Sequence, residues 1–345
     1  MATPHPALAR LTPADGRLTV GLELPLDNDW GPARQRVDRA AGRPFGVPDL
    51  AEHTRLARLA DRLGFAALWL RDVPLYDPVR FGDAGSVFEA FTHLGHLAAV
   101  TDHVVLGTGA VVLPLREPLL VAKAAATVDV LSGGRMLLGV ASGDRPVEYP
   151  LFGRDFDTRG TAFREGFETL RAAWRGGPLE LPRAGLDADR QLEVLPHPIH
   201  AAGIPIAVAG GAQQTAEWIA GHADASLNYP RDLGALRLRT RAWQQLTGHD
   251  NKPYLTPMVL DLQRDAGAPP RPIRLGLSTG SKALIHHLEQ MAELGVAHVS
   301  FNLRPNDRPV DEVLQELADA VLPRFPTRSA APVTTDGRRQ VTHPS

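Results

Sequence analysis

Short apolar runs alternate with longer amphipathic segments eight times between residues 18 and 325, and no other feature limits the possible folds as strongly. The runs are LTVGLELPL (18–26), AALWLRDVPL (66–75), VVLGTGAVVLP (104–114), RMLLGVASGD (135–144), IPIAVAGG (204–211), DASLNYP (224–230), PYLTPMVLDLQ (253–263) and AHVSFNLRP (297–305). Each is followed by a segment with helical spacing, such as Leu50, Leu56, Leu59, Ala60 and Leu63 in the first. Strands that alternate with helices form βα units around a parallel sheet. Eight units at this length predict an α/β fold, a (β/α)8 TIM barrel over 17–325, although an open doubly wound sheet uses the same alternation.

Local signals refine the element ends. Asp49 is the expected cap of the first helix and Gly64 its stop. Ser86 with Glu89 three residues on reads as a capping box. Residues 176–203, between the fourth and fifth strands, break the rhythm and are expected to be an irregular insertion. Residues 1–16 and 326–345 are weak in apolar pattern and are expected to be a mobile arm and a disordered tail.

Composition excludes several function classes. Lys plus Arg total 37 against 39 Asp plus Glu, a net charge of -2, so there is no basic field for nucleic acid and no polybasic membrane patch. The absence of cysteine removes thiolate nucleophiles and Cys-ligated metals and suits a reducing cytoplasm. No run approaches the ~20 apolar residues of a membrane span, and the start lacks a signal-peptide core, so the expectation is a cytoplasmic protein.

In a barrel, chemistry belongs where strands run out at their C-terminal ends. Those ends read LPLDND, RDVP, LPLREP, ASGD, AGGAQQT, NYPRD and NLRP. AGGAQQT is the sharpest: Gly210 and Gly211 running into a helix offer unpaired N–H groups to a phosphate, or make a tight turn that needs glycine. GLSTGSKA (276–283) misses the P-loop order. His93 with His96 and His197 with His200 lack a carboxylate partner for a metal and read as solvated or core histidines. No Ser sits in a GxSxG elbow. Arg71, Asp72, Arg116, Glu117, Asp144 and Arg145 are charged strand ends, either functional or surface ion pairs.

One ordered set of positions goes further: Leu113-Pro114, Ala124 to Ala126, Asp129, Leu131, Ser132, Gly134, Arg135, Gly139, Gly143, Phe152-Gly153 and Arg159. In that order the chain resembles the bacterial luciferase-like flavin-dependent monooxygenase family, more weakly over most of 18–325. The resemblance implies a TIM barrel, usually a homodimer, that binds reduced FMN or a deazaflavin at the strand mouths. It implies a phosphate pocket at Ser142, Gly143, Arg159, Gly211, Ala212 and Thr215, beside the matching Glu217-Trp218. It also matches Gly109-Ala110 to the non-proline cis peptide that supports the flavin ring in several relatives.

The chain departs from luciferase itself. Val73 stands where luciferase has an active-site His, just after Asp72, and Ala141 stands where it has a reactive Cys, so the light-emitting chemistry does not transfer. Acid–base work would fall to Asp72, Arg116, Asp144 or Tyr149, and Arg71 and Arg116 would stabilise an anionic oxygen species. The implied activity is a monooxygenase that uses reduced FMN, oxygen and a small organic substrate, with a separate flavin reductase as electron donor. A deazaflavin-dependent hydride transfer and a non-catalytic flavin-binding role are the alternatives. Leu24, Leu26, Val73 and Leu75 suggest an apolar substrate lining or are simply core.

Overall fold

The computed structural model describes residues 5–13, 17–179, 191–250 and 252–327. Parts of the expected arm, insertion and tail, at 1–4, 14–16, 180–190 and 328–345, lie outside the described residues.

In chain order the strands are β1 (Thr19–Glu23), β2 (Ala67–Leu70), β3 (Val105–Thr108), β4 (Val111–Val112), β5 (Met136–Ala141), β6 (Ile206–Ala209), β7 (Ala225–Leu227), β8 (Tyr254–Leu262), β9 (Arg271–Ile273), β10 (Gly276–Thr279) and β11 (Val296–Asn302). Every neighbour around the ring pairs in parallel, from β1 with β2 through β3, β5, β6, β7 and β8 to β11. Pairing of β11 with β1, Thr19 opposite His298 and Leu22 opposite Phe301, closes the barrel. Closure excludes the open doubly wound sheet. The third run splits into β3 and β4 at the cis Gly109–Ala110 peptide. The short β9–β10 hairpin is an addition, with β10 parallel to β8.

The helices are α1 (Pro6–Leu11), α2 (Pro32–Ala40), α3 (His53–Leu63), α4 (Ala90–Val100), α5 (Pro118–Ser132), α6 (Glu148–Leu151), α7 (Arg159–Ala173), α8 (Ala216–His222), α9 (Leu233–Thr247), α10 (Ser281–Glu293) and α11 (Val310–Glu316). None is long and apolar enough to cross a membrane. A large cluster including Leu22, Leu68, Leu106, Leu138, Phe163, Val208 and Leu288 fills the layer between strands and helices. A second cluster, with Trp69, Val105, Leu137, Ala207, Leu227 and Leu255, includes Ala7 and Leu11 of α1.

That second cluster corrects the expected mobile arm. Residues 6–11 are a helix whose Ala7 and Leu11 are fully buried against the strands, because the barrel's interior needs a cover that the apolar side of PALARL supplies. Two helix starts also differ from expectation. Helix α3 begins at His53, not after Asp49, whose carboxylate instead accepts the Ala51 N–H and pairs with Arg34 and Arg43. Helix α4 begins at Ala90 with Glu89 itself as the cap, accepting the Thr92 N–H, while the Ser86 hydroxyl serves the Arg71 N–H and the Leu24 carbonyl. The stops at Gly64 and Gly133 are left-handed, as glycine there predicts.

The motif positions Ser132 and Arg135 are structural. Buried Arg135 donates to the carbonyls of Ser132, Val104, Ala98 and Thr101 and to the Thr101 hydroxyl, tying the end of α5 to the start of β3.

Candidate active site at the barrel mouth

The C-terminal ends of the strands carry two polar assemblies on opposite arcs of the ring. The first lies over β5 and β6. Gly143, just past β5, has φ 81°, and a Cβ there would stand 2.6 Å from the Tyr149 hydroxyl and 2.7 Å from Val112 Cγ1. Tyr149, fully buried on α6, donates to the Ser142 carbonyl, and its ring meets Phe156 edge-on at 5.0 Å. Burial pushes the Tyr149 phenol up to about 12, so it stays a donor at neutral pH. Arg159, the first residue of α7, lies over the Phe156 ring at 3.7 Å and donates to the Phe156 carbonyl at 2.7 Å. Gly160 then abuts the loop after β6, where Gln214 donates to the Gly160 carbonyl at 2.8 Å and accepts from Arg164.

That loop corrects one expectation. Gly210 does not run straight into a helix: Gly210, Ala212 and Gln213 take positive φ in a turn, and α8 starts only at Ala216. Thr215 is its cap, accepting the Trp218 N–H at 3.2 Å. Contacts join Ser142 and Gly143 through Tyr149 and Phe156 to Arg159, and Gly160 beside it to the 210–215 loop. Two observations fit this assembly to an anionic group: the Arg159 Nε is buried without a hydrogen-bond partner, and the space a side chain would take at Gly210 and Gly211 is open. Between β3 and β4, the Gly109–Ala110 peptide is cis, with Leu227 and Trp69 the nearest side chains to Gly109.

The second assembly occupies the β11–β1–β2 arc, and of its members only Arg71 was among the residues expected to be catalytic. Arg304, fully buried just after β11, pairs through two nitrogens with Asp29, and with Asp83 at 2.6 Å, and lies over the Trp30 ring at 4.2 Å. Asp83 also binds Arg71, which approaches Glu23 at 3.7 Å. Glu23, the last residue of β1, accepts from Asn302 Nδ2 at 3.0 Å. Loss of solvation raises the Glu23 pKa, opposed by Arg71 and Asn302. Flanking Arg71 and Arg304 hold Asp83 down at about 2 despite its burial. Tyr229, past β7 and 44 % exposed, sits in the field of Glu23, Arg71 and Asp144.

The four expected catalytic residues fare unequally. Arg71 lies in this second assembly. Asp72 and Arg116 form a fork, at 3.0 and 2.8 Å, with Glu89 on the outer Arg116 nitrogen and the Val112 N–H on Asp72. Their charges answer each other and brace β4. Asp144 is exposed. Leu24 and Leu26 belong to the core, and Val73 packs against Gly85. At the rim, Arg145 covers Phe81 at 4.4 Å and the Tyr76 hydroxyl binds the Phe45 carbonyl at 2.6 Å, joining the loops of β1, β2 and β5. His93 is core, against His53 and Phe88, and among the described residues no group of three or more His, Asp or Glu can hold a metal.

A closed parallel barrel with a cis Gly109–Ala110 peptide at its mouth narrows the class, and the family comparison states it: the model described as luciferase-like monooxygenase matches residues 30–259. The chain belongs to the luciferase-like monooxygenase family of oxidoreductase enzymes. It is similar to the oxygenase component of a flavin-dependent trigonelline monooxygenase from Acinetobacter baylyi, 34% identical over 127 residues, 36% of this chain and 34% of that one. It is also similar to an F420-dependent glucose-6-phosphate dehydrogenase from Beutenbergia cavernae, 36% identical over 141 residues and 40% of each chain. The matched stretch thus spans well under half of either relative. Among solved structures, monooxygenase RslO1 from Streptomyces bottropensis shares the fold with a TM-score of 0.69 at 19% identity, over 89% of this chain and all of that one.

Proposed function

We propose that the protein is a flavin-dependent monooxygenase that takes reduced FMN from a separate reductase and acts with oxygen on a small organic substrate, working as a homodimer in the cytoplasm. The observation that carries this reading is the buried, unpartnered Arg159 Nε, whose neighbour Gly160 touches the loop that holds the open Gly210–Gly211 turn. Arg159, Ser142, Gly143 and the 210–215 loop would hold the phosphate, and the Gly109–Ala110 backbone would support the ring. Bound reduced flavin supplies the electrons that activate oxygen. The chain's own part is to bind and orient, and to exclude water with the joined rim of Phe45, Tyr76, Phe81 and Arg145.

Arg159→Ala tests the pocket. It should weaken FMN about tenfold or more, the worth of a charge-assisted hydrogen bond, and leave riboflavin nearly unchanged, both read by flavin fluorescence. Equal losses would move the phosphate elsewhere. Hydride transfer with a deazaflavin is the second reading, favoured by the F420-dependent relative. Parallel titrations separate the two, since tight F420 binding without FMN binding would replace the first reading. A flavin-binding protein without turnover would bind FMN yet leave oxygen untouched. Light scattering on the purified chain tests the dimer.

A further inference from the structure

The β11–β1–β2 assembly has more carboxylates than its cations require. Asp29 and Asp83 are matched by Arg304 and Arg71 through direct contacts, which leaves Glu23 as the surplus acid. It is 7 % exposed, at the end of β1, where a strand end opens on the mouth. Its Oε1 is fixed by Asn302 at 3.0 Å and lies 3.7 Å from Arg71 Nε. The groups that act on it come from every neighbouring element: Arg71 just after β2, Asp83 from the following loop, Arg304 just after β11 and Tyr229 past β7 across the mouth.

We propose that Glu23 is the acid–base residue of this mouth, a carboxylic acid that gives its proton to the bound reactants and whose carboxylate is then held by Asn302 and Arg71. The inference rests on reading the mouth as the active site. Burial favours the neutral acid, and the Asn302 donor and the Arg71 charge are already in place beside Oε1 for the anion that forms, so the charge appears without rearrangement. Solvent restores the proton. Oxidation of bound reduced flavin offers a substrate-free test, because FMNH⁻ plus O2 plus one proton gives oxidised FMN plus H2O2, with two electrons passing to oxygen and the proton coming from the acid.

Two measurements decide it. In the cofactor-free chain, infrared difference spectra between wild type and Glu23→Gln should contain one carboxylic-acid carbonyl band that disappears as pH rises. In the chain loaded with reduced FMN, the pH profile of oxygen consumption should lose its alkaline limb in Glu23→Gln with a fall of about a hundredfold, the usual scale of acid catalysis, and regain it in Glu23→Asp. Asn302→Ala, which removes a donor to the carboxylate, should move that limb to higher pH, and it keeps the test open if Glu23→Gln does not fold. Intact FMN binding with an unchanged profile in these variants, or no Glu23 band, overturns the proposal. Failure of wild type to bind FMN overturns the functional reading instead.

Discussion

At the residue scale, the same side-chain type does different work according to its partners. Of the mouth arginines, Arg304 and Arg116 are held by carboxylates, Arg71 is shared between Asp83 and Glu23, and Arg159 keeps an unpartnered buried nitrogen. Sequence position does not separate these, since each lies at a strand or helix end. Gly143 is the position where a single atom matters most. A methyl there meets the Tyr149 hydroxyl at 2.6 Å and needs positive φ, so Gly143→Ala should destabilise by about 1–3 kcal/mol and weaken FMN binding, read by thermal melting and flavin titration. An unchanged melting temperature would mean that Tyr149 yields.

Elements were legible where local chemistry decides them and illegible where packing does. The glycine stops of α3 and α5 follow from backbone freedom alone. The caps at Asp49 and Ser86 went elsewhere because Arg34 and Arg43 claim one side chain, and the Arg71 backbone the other. Helix α1 is the clearest case, six residues with little intrinsic helical stability, ordered by burial under the barrel. Leu11→Ala should therefore destabilise the whole barrel by about 2–5 kcal/mol in chemical denaturation, as a core truncation does. An effect below about 0.5 kcal/mol would identify the segment as a loose arm after all.

At the scale of the whole molecule, buried histidines set the acid limit. Burial holds His53 at about 4, and His93 and His298 at about 3, all lowered from 6.5. The unfolded chain gains these protons as pH falls through 6.5 while the fold refuses them until pH 3–4, so stability present above 6.5 is lost on acidification. Each group contributes up to about 1.4 kcal/mol per pH unit in that window. Urea midpoints measured from pH 7 to 4 should fall accordingly, and His93→Leu should flatten the slope. A slope unchanged by that substitution would place the acid sensitivity in other groups.

The sequence by itself determined the barrel and suggested one arc of its mouth. Apolar periodicity is a local property, each strand end is known once the strand is, and the proposed phosphate pocket of Ser142, Gly143, Arg159 and 210–215 comes from a family resemblance in ordered motif positions. Only the tertiary structure decided the other arc. Glu23 and Asn302 are 279 positions apart, and barrel closure between β1 and β11 is what brings them to 3.0 Å. The strand ends NYPRD and NLRP marked Tyr229, Asn302 and Arg304 as mouth residues, but which charges cancel and which acid is left over depends on pairings across the ring. A carboxylate's ionisation is set by burial and by neighbours within a few ångströms, and those distances exist only in the closed barrel.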